Sequence, residues 1–285
     1  MSKFSLYAFA DEANKNIDGQ IRAMLRNGLQ GLEIRNVDGT NVTDITLEKA
    51  REVRRKLEEN GLVTWSVGSP IGKQPVAADF APELDRFKHT LALAQELGAS
   101  NIRLFSFFIP KEENAENHTG LVIDRLGQFL EAAQGSGVTL CHENEKGIYG
   151  DIASRCLKIH QQLPELKAIF DPANFVQCGE DTRKSWELLK NYVHYLHIKD
   201  AMPDGCVVPA GAGEGNVAHI VNDYLTRDGR AMTIEPHLRT FAGLKALEEK
   251  GDVSTIGKYY SYPTSDAAFD AACNALKTIL TKTAI

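Results

Sequence analysis

Short strand-like runs alternate with amphipathic helical stretches about eight times along the 285 residues, and no other feature limits the fold as strongly. FSLYAFA opens the series, and Ile17, Ile21, Met24, Leu25 and Leu29 then recur at the spacing of one helix face. GLEIRNV follows, with Leu47, Ala50, Val53 and Leu57 marking a second helix that stops at Gly61. The pairs continue as LVTWSVGS with ELDRFKHTLALAQELGA, NIRLFSFF with LVIDRLGQFLEAAQGSG, and VTLCHENE with IYGDIASRCLKIHQQL. LKAIFDPANF with TRKSWELLKNY, VHYLHIKD with NVAHIVNDYLTRDG, and RAMTIEPH with SDAAFDAACNALKTIL complete them. Helix-length connections return the chain to the same end of a sheet, so the strands pair in parallel. Eight such units predict an α/β chain folded as a single (β/α)8 barrel domain over residues 1–285. An open doubly wound sheet is the alternative, but no G-x-G-x-x-G follows the first strand and there is no Walker A sequence.

Charge and composition narrow the function classes. A formal net charge of -6 and a pI near 5.8 give no basic face for a polyanion, so nucleic acid is not an expected partner and a small molecule is. The five cysteines are scattered without a CxxC pair, as reduced thiols in a cytosolic protein would be. MSKFSLYAFADEANK lacks the apolar stretch of a secretory signal, and no run reaches the roughly 18 apolar residues of a membrane span. A cytoplasmic location without membrane attachment is the expectation.

In a barrel of this kind the chemistry sits where the strands end, because that face carries the βα loops. Four consecutive strands end on a polar group: Glu143 in VTLCHE, Asp171 in LKAIFD, His197 in VHYLH and Glu235 in AMTIE. Taken singly, Asp171 fits a helix cap and His197 a hydrogen-bonded core imidazole. Glu143 and Glu235 are harder to place that way, since a carboxylate ending an apolar strand is seldom buried without a partner. Together, three carboxylates and an imidazole repel one another unless a cation lies between them. Oxygen donors with one nitrogen suit Mn²⁺ or Mg²⁺ and tolerate Co²⁺ or Zn²⁺, so the pattern predicts one divalent metal ion of unfixed identity.

In HENE, FDPANF, HIKD, TIEPH and the Gly-rich PAGAGEGNV, the chain resembles the xylose-isomerase-like TIM-barrel superfamily of sugar and sugar phosphate isomerases and epimerases. The resemblance covers nearly the full length. It implies Glu143, Asp171, His197 and Glu235 as metal ligands, with Glu143 and Glu235 also the catalytic acid/base pair. It further implies isomerisation or epimerisation through an enediolate that the metal stabilises. Dehydration of an inosose- or dehydroshikimate-like substrate is the alternative, and a non-catalytic sugar-binding barrel or an apurinic endonuclease ranks below both. The endonuclease branch carries a histidine three residues after the strand-six Asp and an Asp-x-His pair beyond strand seven. Here Asn174 and VPAGAGEG stand instead. The ketose 3-epimerases carry histidine, glutamate and arginine where this chain has Asn174, Tyr149 and Pro203, so their substrate-recognising set is absent. Relatives of this kind often form dimers or tetramers, and a homo-oligomer is the expectation by resemblance alone.

Candidate contacts to a sugar or polyol substrate lie close by. Lys199, two residues along the strand from His197, shares its side, and His237 shares the side of Glu235. Asn174 can hydrogen-bond a hydroxyl, while Asn144 and Glu145 reach in from the loop after Glu143. His142 and Asn144 point away from the axis if that strand continues past Glu143. Glu33, ending GLE, is a substrate contact or a structural ion pair. Trp65, Phe105, Phe107 and Phe108 form an apolar wall against the sugar ring or belong to the core. The glycines of AGAGEG offer backbone N–H groups to a phosphate.

Overall fold

A computed structural model of the chain describes residues 4–241 and 255–283. Eight parallel strands close into a barrel, each paired with its neighbours in sequence: β1 (Ser5–Ala8), β2 (Gly31–Ile34), β3 (Val63–Val67), β4 (Asn101–Leu104), β5 (Thr139–Glu143), β6 (Lys167–Phe170), β7 (Val193–Ile198) and β8 (Ala231–Ile234). β8 pairs with β1 to close the ring. The expected (β/α)8 fold is the observed one.

The helices form the outer layer: α1 (Ile17–Arg26), α2 (Leu47–Glu59), α3 (Ala81–Leu97), α4 (Thr119–Ala133), α5 (Ala153–Gln162), α6 (Pro172–Gln177), α7 (Thr182–Leu189), α8 (Val217–Thr226) and α9 (Ser265–Lys282). Their ends carry the expected signals. Thr46 and Thr264 cap α2 and α9 through their hydroxyls, and α3 ends on Gly98 in the left-handed conformation, φ 69°. No helix among the described residues is long and apolar enough to cross a membrane.

The strands are shorter than the sequence runs, and one run changes class. LKAIFDPANF is strand only to Phe170; Pro172 then starts α6, six residues long. Proline supplies the first-turn φ of a helix and Asp171 caps it, so the helix begins where the strand stops.

Alternation along the strands divides the molecule into two packed layers. Leu140, Phe170, Leu196, Met232 and Ile234 face the helices and join the main core. Tyr7, Cys141, Ile169, Tyr195 and Ala231 face inward and fill the barrel. Trp65 packs on this inner plug, stacked 4.8 Å from Tyr7 and 5.9 Å from His194. It also borders a cleft formed by Lys190, Arg227 and Gly229 from the loops that precede β7 and β8. That places it at the end of the barrel opposite the strand termini, so Trp65 is no wall for a ligand there. Phe107 packs against Phe80 and Phe129 in the outer layer.

His142 faces outward from β5, as the parity of Glu143 demands, and its ring lies 5.7 Å from that of His160. Burial holds the His160 imidazole neutral, its pKa pushed down to about 4. The unfolded chain protonates this group near pH 6.5. Stability from it is therefore complete above that pH and is lost as pH falls toward 4, by about 3 kcal/mol. Urea midpoints should fall across this window, and His160→Gln should flatten part of the slope; an identical slope in the variant contradicts the assignment.

Candidate metal centre

The inward parity that places Tyr195 in the plug places His197 one layer higher, at the mouth. Cys141 and Glu143 on β5 obey the same rule, as do Ile169 and Asp171 beyond β6 and Thr233 and Glu235 beyond β8. Glu143, Asp171, His197 and Glu235 are all buried there, and one donor atom from each lies within 4.8 Å of the others. His197 Nδ1 stands 2.9 Å from Glu143 Oε1 and 3.5 Å from Glu235 Oε2.

The Asp171 carboxylate serves two purposes. Oδ1 accepts the backbone N–H of Asn174 at 3.0 Å, capping α6, while Oδ2 turns into the cluster. Lys199 Nζ lies 2.9 Å from that oxygen, yet off the line of a hydrogen bond, so Oδ2 is buried without a donor. The same ammonium lies 3.0 Å from Glu235 Oε2.

Charge balance points to a cation. Burial pushes Glu12 up to about 8 against the pull of Arg35, so this carboxyl keeps its proton. Among the described residues, the buried carboxyl groups of Asp11, Glu33, Glu143, Asp171 and Glu235 crowd around three buried cations, Arg35, Arg103 and Lys199. This excess of carboxyl groups over cations favours protons within the cluster. Burial, with Glu235 and Glu143 adding to it, raises Asp171 well above the ordinary carboxylate range despite Lys199. For His197 burial works the other way, but Glu143 and Glu33 outweigh it and hold the imidazole protonated. A divalent ion would take the place of those protons, and the four donors fit Mn²⁺, Mg²⁺, Co²⁺ or Zn²⁺ by their oxygen-rich composition.

The surrounding residues fall into those that face the cluster and those that build it. Glu33 is wholly buried; Oε2 meets His197 Nε2 at 3.0 Å and Oε1 accepts the Tyr195 hydroxyl at 3.0 Å. Of its two readings, the ion pair is the one seen: Glu33 sits behind the imidazole, where it fixes which nitrogen faces Glu143 and Glu235. Asn144 exchanges both amide hydrogen bonds with the peptide of Asp171, each 2.9 Å, and so clamps two strand ends together instead of reaching into the mouth. Asn174 Nδ2 donates to Asn144 O at 2.9 Å and approaches Glu143 Oε1 at 3.4 Å.

Glu145 pairs with Lys73 at 2.9 Å, and despite burial Lys73 and Lys199 hold it below the usual carboxylate range. His237 lies 3.4 Å from both Glu235 Oε1 and Glu12 Oε1, and burial keeps its imidazole neutral despite Glu235. Lys199, Asn174 and His237 thus adjoin the cluster, and Glu145 lies within electrostatic reach of Lys199 and Glu235. Tyr149, in the place of a ketose 3-epimerase glutamate, bonds instead to the Thr119 hydroxyl at 2.7 Å.

Two arginines escaped the sequence reading. Arg103, inside NIRLFSFF, donates to Glu143 Oε2 at 3.1 Å. Arg35, just past β2, grips Asp11 through two nitrogens at 3.0 Å and reaches Glu12 at 3.0 Å and Glu235 Oε1 at 3.4 Å. Glu12, Glu235 and His237 form a second donor group within the same 4.8 Å spread, but the guanidinium of Arg35 already lies among them. The available signal was a charge within or just beyond an apolar strand run.

The Gly-rich loop after β7 is filled from within. Asp200 accepts the N–H groups of Gly211, Gly213 and Gly215 at 2.8, 3.1 and 2.8 Å. A carboxylate of the chain itself occupies the cradle that the sequence offered to a phosphate.

Comparison with known proteins matches this geometry at the level of fold. The family model described as xylose isomerase-like TIM barrel matches residues 21–243. Among solved structures, the IolI protein with a bound zinc atom is similar at TM-score 0.75 and 14% identity, covering 99% of each chain. The 3-keto-D-glucoside 4-epimerase YcjR of E. coli is similar at TM-score 0.69 and 14% identity, over 98% of this chain and 99% of that one. The probable 3-DHS dehydratase AsbF of Bacillus anthracis is similar at TM-score 0.72 and 16% identity, over 97% and 99%. No curated protein sequence matches.

Proposed function

Because the chain belongs to the xylose isomerase-like TIM barrel family, we propose that it is a divalent-metal-dependent sugar isomerase or epimerase. One observation carries the reading: four buried donors on four consecutive strands, with His197 Nδ1 between an oxygen of Glu143 and an oxygen of Glu235. A divalent ion held by Glu143, Asp171, His197 and Glu235 would supply Lewis-acid polarisation of a ketose carbonyl and its neighbouring hydroxyl.

The chain's own groups move the protons. One of Glu143 and Glu235 removes the carbon-bound proton, and the other returns one to the opposite face or to the adjacent carbon. Glu33 holds the imidazole, and Asn144 holds the Asp171 peptide. His237, Glu145 and Asn174 are the contacts this reading gives to substrate hydroxyls. Since Asp200 fills the Gly-rich loop, an unphosphorylated sugar is favoured over a sugar phosphate.

Lys199 favours a second reading. Its ammonium, bridging Asp171 and Glu235, can protonate a departing hydroxyl, so that loss of the carbon-bound proton and of water leaves a C=C bond. Incubation with Mn²⁺ and candidate keto sugars in D₂O separates the two. Deuterium wash-in without a water-loss product is the expected result; an ultraviolet-absorbing enone overturns it in favour of dehydration.

A further inference from the structure

Glu143 and Glu235 each have an oxygen that meets its neighbours in the ligand group and another turned away onto an arginine. Glu143 Oε1 faces His197 Nδ1 at 2.9 Å, and Oε2 accepts from Arg103 Nη1 at 3.1 Å. Glu235 Oε2 faces Lys199, and Oε1 lies toward Arg35. The two arginines differ in how much charge they can offer. Arg35 is committed to Asp11 through two nitrogens and also reaches Glu12, whereas the remaining hydrogen bonds of Arg103 go to neutral carbonyls, Ser69 O at 3.3 Å and Gly68 O at 3.1 Å.

Those carbonyls belong to the main chain just beyond β3, so the Arg103 fork is fixed to the barrel rim. Aromatic rings hold its plane: its central carbon lies 5.1 Å from the Phe9 ring and 4.8 Å from the Phe105 ring. Phe9 is also 4.5 Å from Arg35 and meets the His197 ring edge-on at 5.3 Å. Gly68 makes room for it, since a Cβ there would come within 2.5 Å of the Phe9 ring.

We propose that Arg103 is a positioning residue for Glu143. Braced by Phe9, it holds one carboxylate oxygen outward so that the other faces Asp171, His197 and Glu235. The proposal rests on the reading of Glu143 as a metal ligand, and the opposite signs of two effects make it testable. An arginine that acted by charge alone would repel a divalent ion, so its removal would tighten binding. An arginine that orients a ligand does the reverse, because loosening an outer contact costs about 10–100-fold in metal affinity.

Mn²⁺ affinity, measured from the free-ion electron paramagnetic resonance signal, should therefore fall at least about tenfold in Arg103→Ala. Arg103→Lys, which keeps the charge but not the fork, should fall as well, and added guanidinium should restore part of the loss in Arg103→Ala. Phe9→Leu, which leaves every hydrogen bond of Arg103 possible, should weaken binding in the same direction and carries the test should the arginine variants not fold. Unchanged or tighter Mn²⁺ binding in folded variants overturns the proposal while the metal reading stands. A parent protein that takes up no Mn²⁺ overturns both.

Discussion

Asp171→Asn is expected to yield a folded protein that has lost its divalent ion, with affinity reduced by more than about a hundredfold. Changes one shell further out already cost 10–100-fold, and this one alters a ligand. The variant separates the two uses of one carboxylate. Asparagine caps a helix as well as aspartate does, so the bond to the Asn174 N–H survives and α6 keeps its start. What disappears is the charge on Oδ2, the buried oxygen that lacks a donor. Asp171→Ala should lose both and cost about 1 kcal/mol more in stability. Metal analysis and thermal melting of the two variants check this. Full metal retention in Asp171→Asn would reduce Asp171 to a cap.

The second large effect falls on turnover. Glu235→Gln keeps the size of the side chain and a carbonyl oxygen for the ion, but it can no longer accept a proton. At saturating Mn²⁺, conversion of the accepted sugar to its isomer or epimer should fall by about 10²–10⁴-fold, the usual contribution of a positioned acid or base. Glu143→Gln should behave alike, because two different carbon or face positions require both groups. Conversion within tenfold of the parent in either variant, with the ion shown to be bound, would remove that glutamate from the proton-transfer step.

The convergence of Glu143, Asp171, His197 and Glu235 was legible because its signal is local. A polar residue at the end of an apolar run shows in a single strand, and four consecutive strands repeat it. Inward parity then follows from a period of two, which also put His142 correctly on the outside. Contacts between strands far apart in the chain have no such signature. Arg103 meets Glu143 across 40 residues and Arg35 meets Glu235 across 200, so each reads in sequence as an ordinary strand-end charge. Glu33 was visible as a strand-end carboxylate, but its partner is His197, 164 residues away. The six residues of α6 are too few for a helical period to show, which left FDPANF attached to its strand. Trp65 was left between wall and core for a related reason: the run LVTWSVGS does not announce which of its residues reach the mouth, and the pairing of β2 with β3 slips at Leu32 and Glu33.

On the proposed function, Glu143, Asp171, His197 and Glu235 together bind one divalent ion. Elemental analysis of protein purified without chelator, followed by chelation and Mn²⁺ titration, tests it most directly. The expected result is about one ion per chain, removed by chelator, restored by Mn²⁺ and absent from Asp171→Asn. A parent protein that carries no divalent ion and takes up none of Mn²⁺, Mg²⁺, Co²⁺ or Zn²⁺ would contradict the account.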